Sequence, residues 1–258
     1  MNAAGDRKVL SIAGLDPSGS AGLLRDVETI RELGAEPFAI CSALTVQSKR
    51  DSRKLVWVDS ALILEQLDCL ASAHSIDAVK IGVAENPELV LKIRERLPDT
   101  NIVLDPVLNA STGLEFQSQP EDWQAVLGLV DLLTPNADEA VAIFPSASAE
   151  ESAAAMASRS NGNHVLLKGG HRLDCPGLDS LYRSGGVDDR DADTGEMIDF
   201  MPAEQLDSSV RGTGCTLSTA IAVHLAQGFS MEDAVERSKL YLSEYIKSRS
   251  RTKTTAHV

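Results

Sequence analysis

Lys8-Val9-Leu10-Ser11-Ile12-Ala13, closed by Gly14, and then Leu23 to Leu33, with apolar residues at 23, 24, 27, 30 and 33, form the stretch from which the architecture unfolds. The first segment is an apolar run of strand length. The second has the spacing of one helix face, and Gly34 closes it. Phe38 to Leu44 is apolar again and reads as a second strand. Strand, helix and strand in direct succession make a βαβ unit.

The same alternation continues outward. Helices are predicted over Ala61–Ala71, Pro87–Leu97 (with Pro87 in the first turn), Ala137–Ile143 and Ala149–Arg159. Strands are predicted over Ala78–Ile81, Ile102–Leu104, Val130–Leu133 and Val165–Leu167. Short strands separated by helices of about ten residues imply a mostly parallel sheet and an α/β fold. Leu178 to Asp207 departs from the rhythm. Leu181-Tyr182 and Met197 to Met201 are strand candidates there, in a β-ribbon with Gly185-Gly186 and Asp188 to Asp193 as a mobile turn. Two helices follow, Thr216–Ala226 and Met231–Ile246, and the Ser/Thr/Arg-rich tail from Lys247 reads as frayed. Neither an internal repeat nor a linker divides residues 1–258, so a single domain is expected.

Composition narrows the function. The net charge of −14 argues against nucleic acid or an anionic membrane as partner, since either needs a basic face. Any phosphate site must therefore be built locally. The four cysteines, 41, 69, 175 and 215, include no C-x-x-C pair, so neither a zinc site nor a disulfide framework is suggested. A reducing, cytoplasmic setting is expected, with no signal peptide and no run of membrane-spanning length.

Polar residues of interest fall where the strands end: Asp16, Gln47, Asp105, Asn136 and Lys168. Parallel sheets place their ligand sites at the strands' carboxyl ends. Last in the series comes Arg211-Gly212-Thr213-Gly214-Cys215-Thr216, leading into an apolar run. A helix starting there offers unpaired N–H groups and the positive end of its dipole, which suit a phosphate. Gly212 and Gly214 allow close backbone approach. Cys215 on the first turn is expected to favour thiolate. The plain alternative is an ordinary loop with a small core cysteine.

Read together, these segments resemble the bacterial hydroxymethylpyrimidine/phosphomethylpyrimidine kinases of thiamine biosynthesis, within the ribokinase-like superfamily. The resemblance rests on Ile12 to Gly22 with Asp26, Ala43 to Ser48, Val79-Lys80-Ile81-Gly82, Val103 to Val107, Leu133 to Ala140, Leu167 to His171 and Gly212 to Thr216, in order along residues 8 to 246. It implies a three-layer α/β/α sandwich with a mostly parallel central sheet, and ATP-dependent phosphorylation of a pyrimidine hydroxymethyl group and then of its monophosphate. The backbone of Gly212, Thr213 and Gly214 would stabilise the transferring phosphoryl group, and Cys215 would take or orient the hydroxyl proton. Gly14, Asp16, Asp26, Gln47, Val83 and Val107 are implied at the pyrimidine. Lys168, Thr213 and Lys239 are implied at ATP. Asp105, Asn136 and Glu139 are implied at Mg²⁺.

Each carries an ordinary alternative. Asn136 and Glu139 also read as a helix capping box, Asp105-Pro106 as a turn, Asp26 as a solvent-facing helix position and Lys239 as a surface residue. The sequence departs from the family at Ser111, where Ala110-Ser111-Thr112-Gly113 lacks the usual lysine, and at Val83, which replaces a methionine. Arg211 stands where histidine or a small polar residue is usual. These departures leave two alternatives: a pyridoxal/pyridoxine kinase, or a ligand-binding homologue with weakened chemistry. Relatives are often dimeric, and the sequence does not itself fix a homodimer.

Overall fold

The structure, a computed structural model, describes residues 7–48, 51–109, 116, 119–169, 177–183, 196–201 and 210–255, the last five as helical backbone only. The expectations placed on Ser111, His171, Cys175 and the turn between Gly185 and Asp193 lie outside the described residues. In chain order the elements are β1 Lys8–Leu15, α1 Gly22–Glu32, β2 Glu36–Gln47, β3 Ser52–Trp57, α2 Ser60–Ala73, β4 Ala78–Ile81 and α3 Pro87–Arg96. Then come β5 Asn101–Leu104, a 3₁₀ turn at Pro120–Val126, β6 Leu132–Leu133, α4 Ala137–Ile143, α5 Ala149–Ser158 and β7 His164–Leu167. The ribbon β8 Asp179–Arg183 and β9 Glu196–Phe200 leads to α6 Thr213–Ala226 and α7 Met231–Thr255.

The nine strands form one sheet in the order β3-β2-β1-β4-β5-β6-β7-β8-β9. From β2 to β7 the neighbours are parallel, while β3, β8 and β9 add antiparallel edges. Strand alternation sends side chains to opposite faces. Leu10, Ile12, Val79, Ile81, Ile102 and Leu104 pack with Leu67, Leu89, Ile93 and Met156 of α2, α3 and α5. Val9, Ala78, Val103, Leu132 and Leu166 pack instead with Ile30, Leu217, Ile221 and Val235 of α1, α6 and α7. The result is the expected α/β/α sandwich. Burial of each such side chain contributes about 1.5–3 kcal/mol.

Topology locates the ligand crevice. The chain leaves β1 for β2 on one side, and then crosses to β4 on the other. That reversal opens a crevice beyond the carboxyl ends of β1 and β4, the usual ligand position in such sheets.

Three expectations are corrected. The strand begun at Phe38 runs on through Gln47 and pairs with β3, which the sequence pattern did not mark. Gln47 is therefore a strand residue on a projecting hairpin. The tail from Lys247 continues α7 to Thr255 instead of fraying at once.

Two histidines give the fold an acid limit. His164, opening β7, and His224, in α6, each have a buried Nε2 without a partner among the described residues. Burial pushes both imidazoles below the ordinary 6.5, and nearby Arg183 and Arg237 respectively add to this. The unfolded chain therefore binds the extra protons. Stability is full above about pH 6.5 and falls as pH drops below it. The urea midpoint is expected to decline from pH 7.5 to 5.5, and His224→Gln to flatten that decline.

Candidate active site

The site begins with the helix that closes the chain's α/β run. Gly212 caps α6 in the left-handed conformation (φ 78°), and a Cβ there would collide with the Ser20 carbonyl oxygen. Glycine is thus required for both reasons. Thr213, Gly214 and Cys215 follow as the first helical turn, with their N–H groups at the positive end of a 14-residue helix. The opposite rim is the loop after β1. Leu15 bridges to Gly22, and the Gly22 backbone helps draw the Cys215 thiol down.

Beneath the cradle lies a charged cluster. Lys168 Nζ donates to Asp105 Oδ1 at 2.6 Å and lies 3.8 Å from Glu139 Oε2. A Cβ on Gly214 would be 3.5 Å from Lys168 Nζ and 3.9 Å from Asp105 Oδ2, so the glycine turn sits directly on this pair. Ser218 Oγ, one turn along α6, donates to Asp105 Oδ2 at 3.3 Å, and Thr134 Oγ1 donates to Oδ1 at 3.4 Å. Asn136 and Glu139 form the capping box: Glu139 N–H donates to Asn136 Oδ1 at 2.9 Å, and Asn136 N–H to Glu139 Oε2 at 2.8 Å. The cap orients the Glu139 carboxyl toward Lys168.

Electrostatics follow from burial. Desolvation pushes the Glu139 carboxyl up to about 7, despite Lys168, and Asp105 adds to the rise. Asp105 is desolvated as well, yet Lys168 and Lys80 hold it below the usual carboxylate range. Lys168 is kept above the ordinary lysine value, because Asp105 and Glu139 outweigh its burial. Two buried carboxyls thus share the Lys168 ammonium, and that of Glu139 is only partly ionised near neutrality.

Cys215 corrects one expectation. Burial pushes its thiol above the ordinary 9.0, and Lys80 opposes the rise without overturning it. The helix terminus alone does not make a thiolate here.

Three other expected site residues have protein partners of their own. Asp26 is fully buried, not solvent-facing. Its oxygens accept from Ser11 Oγ (2.7 Å), Lys80 Nζ (2.8 Å) and Thr219 Oγ1 (2.9 Å). Asp16 organises its own loop, accepting from the Ser18 N–H and hydroxyl and from the Ala21 N–H. Lys239 is not at the surface: it bonds Asp179 Oδ2 and the Gly177 carbonyl, both at 2.7 Å.

Gly14 and Val83, both expected at the pyrimidine, lie side by side. A Cβ on Gly14 would lie 3.7 Å from both Val83 Cβ and the Ala43 carbonyl, and Ser42 Oγ donates to the Val83 carbonyl. Val107 is half-buried just past Asp105. Gln47 is half-buried in the hairpin and accepts from Ser52 Oγ at 3.2 Å. The sequence reading missed Lys80 as a site residue, although a lysine inside the apolar run Ala78 to Ile81 was a visible signal.

Comparison with known proteins identifies the family of the chain. Residues 16–257 match the family model described as phosphomethylpyrimidine kinase. A hydroxymethylpyrimidine/phosphomethylpyrimidine kinase from Rhizobium meliloti is 32% identical over 254 residues, covering 94% of this chain and 91% of its own. The bifunctional thiamine biosynthesis protein of Geobacter sulfurreducens is 32% identical over 249 residues, and there the chain spans about half the relative (49%) and 93% of itself. The crystal structure of a phosphomethylpyrimidine kinase from Clostridium difficile superposes with TM-score 0.71 at 28% identity, covering 93% of this chain and 99% of that one. A Staphylococcus aureus pyridoxal kinase in complex with pyridoxal gives TM-score 0.73 at 26% identity, with 93% and 88% covered.

Proposed function

The chain belongs to the phosphomethylpyrimidine kinase family, and on that premise we propose that it transfers the γ-phosphoryl group of ATP to the hydroxymethyl group of a thiamine-precursor pyrimidine and then to the resulting monophosphate. The observation that carries the site assignment is the stacking of the Gly212–Cys215 turn on the Lys168–Asp105 pair. Phosphoryl transfer needs positioning and neutralisation of charge spreading over the equatorial oxygens. The N–H groups of Thr213, Gly214 and Cys215 supply fixed dipoles for that charge, at a helix terminus that needs no reorganisation. Lys168 supplies the matching cation from below. Cys215 accepts the hydroxyl proton, and Gly14, Val83 and Val107 hold the ring against the crevice.

The donor set fits a magnesium ion that arrives on the nucleotide. Glu139 and Asp105 are hard oxygen ligands, and a cation beside the raised Glu139 carboxyl would favour its ionised form. Magnesium, when bound, neutralises phosphate charge. Glu139 would hold it or its water, with Asn136 fixing the carboxyl and Asp105 at the far side of Lys168.

The same crevice favours a second reading, because the superposed pyridoxal kinase shares the fold and because Val83 replaces a larger residue. ATP/Mg²⁺ turnover assayed side by side on hydroxymethylpyrimidine, its monophosphate and pyridoxal separates the two. Turnover of the pyrimidine and its phosphate is expected. Turnover of pyridoxal alone would sink the proposal, and binding without turnover of any would support a weakened homologue.

A further inference from the structure

Lys80 stands in β4, within a run buried throughout. Its side chain and that of Asp26 are both 0% exposed and meet at 2.8 Å. Taking two charges out of water is costly, and an apolar pair of similar volume often serves stability as well or better. The placement of this pair points to another use. Asp26 Oδ1 accepts from Thr219 Oγ1, and Thr219 lies four residues beyond Cys215, on the same face of α6. Lys80 sits opposite Ser11 in the β1–β4 register, just before Gly82, where an added Cβ would come 2.9 Å from Lys80 Nζ. Among the described residues the ammonium gives one hydrogen bond, to Asp26, although it has three donors.

We infer that Lys80 is a positioning residue of the phosphoryl-transfer centre: anchored by Asp26 beneath α6, its ammonium stabilises the anionic, proton-accepting sulfur of Cys215. This rests on the kinase reading above. In the step it serves, the substrate O–H bond breaks and its proton passes to Cys215 Sγ. The freed oxygen bonds the γ-phosphorus, and the β,γ-bridging oxygen departs with the electron pair on ADP. Lys80 keeps its proton throughout, and once the sulfur is neutral the ammonium is balanced by Asp26 alone.

The charged surroundings of the sulfur support this assignment. Lys80 from β4 and Lys168 after β7 act on it with positive charge, and Asp26 from α1 and Asp105 after β5 with negative charge. Burial raises the thiol, and Lys80 is the largest influence against that rise. Reciprocally, Cys215 is second only to Asp26 among the groups that hold Lys80 protonated against its own burial.

The double variant Asp26→Asn/Lys80→Met removes both charges while keeping the bulk of the pair. Two measurements read it: the pH midpoint of iodoacetamide alkylation at Cys215, followed by peptide mass spectrometry without substrate, and steady-state kinetics. The midpoint is expected to rise, because the influence of Lys80 on the sulfur exceeds the opposing one of Asp26, with kcat reduced about 10- to 100-fold and KM within about threefold. A folded double variant with an unmoved midpoint, or with kcat within about threefold of the parent, overturns the inference. Asp26→Asn alone provides the second arm, because it leaves the ammonium facing the sulfur without its counter-charge. Its midpoint is expected below the parent's, and an unmoved or raised midpoint overturns the inference. Alkylation needs no substrate, so a parent enzyme that turns over no pyrimidine would remove the kinase reading while these shifts still decide the role of Lys80.

Discussion

Cys215→Ala is expected to cut kcat by about 10²- to 10⁴-fold, the usual worth of a positioned general base, while KM for ATP and for the pyrimidine stays within about threefold. The substitution removes only a sulfur. Gly212 still caps α6 in its left-handed conformation, and the amides of residues 213 to 215 keep their directions. Ground-state binding is therefore spared. The pH profile gives an independent check. Burial holds the Cys215 thiol above its ordinary value, so the reactive thiolate is a minor species near neutrality. The parent's kcat should rise with pH up to and beyond the ordinary thiol range, and the alanine variant should lose that rise. Steady-state kinetics across pH would test both claims. A variant that kept its kcat would show the amide cradle acting without a base.

The architecture was legible because its signal is local. Strands β4, β5 and β7 are short apolar runs buried on both faces, and α4 starts at a capping box written within four residues. Strand β3 escaped because Ser52 to Trp57 is an edge strand with Arg53 and Lys54 exposed side by side, which hides the period of two. The end of α7 escaped for a related reason: residues 248–255 carry no apolar stripe, so nothing local distinguishes that helix from coil.

Within the site, what could be read was position, and what could not was pairing. Asp105, Lys168 and Cys215 were placed by strand ends and by the glycine turn, and they do converge. The burial of Asp26 and Lys239 was not legible, because their partners come from distant segments. Helix α1 buries Arg25, Asp26 and Thr29 alongside Leu23 and Ile30. Arg25 survives there through Glu28 and Glu32 and by stacking on the Tyr245 ring. Asp26 survives through Lys80. No helical spacing announces a counter-ion 54 residues away, so the burial of Asp26 was not legible.

Lys168→Met is expected to have an effect of similar size, with a different signature. The ammonium joins Asp105 to Glu139 and is the cation directly beneath Gly214. Removing it leaves two buried carboxyls facing each other, and stranding a buried charge in this way costs about 3–5 kcal/mol. The Glu139 carboxyl, already pushed up to about 7, should hold its proton to higher pH, since Lys168 is the largest influence pulling it down. Catalysis should suffer twice. The transferring phosphoryl loses a fixed positive partner, and a proton on Glu139 competes with any cation that comes with the nucleotide. A loss of about 10²- to 10³-fold in kcat is expected, comparable to removing one preorganised donor from an oxyanion site, together with a raised KM for ATP. Urea unfolding and ATP titration measured together separate the two consequences. Adding Asp105→Asn to Lys168→Met should recover much of the stability, because it removes one of the stranded carboxylates, without restoring kcat. If the double variant regained turnover along with stability, Lys168 would be a structural counter-ion, and the phosphate contact would have to come from the α6 amides alone.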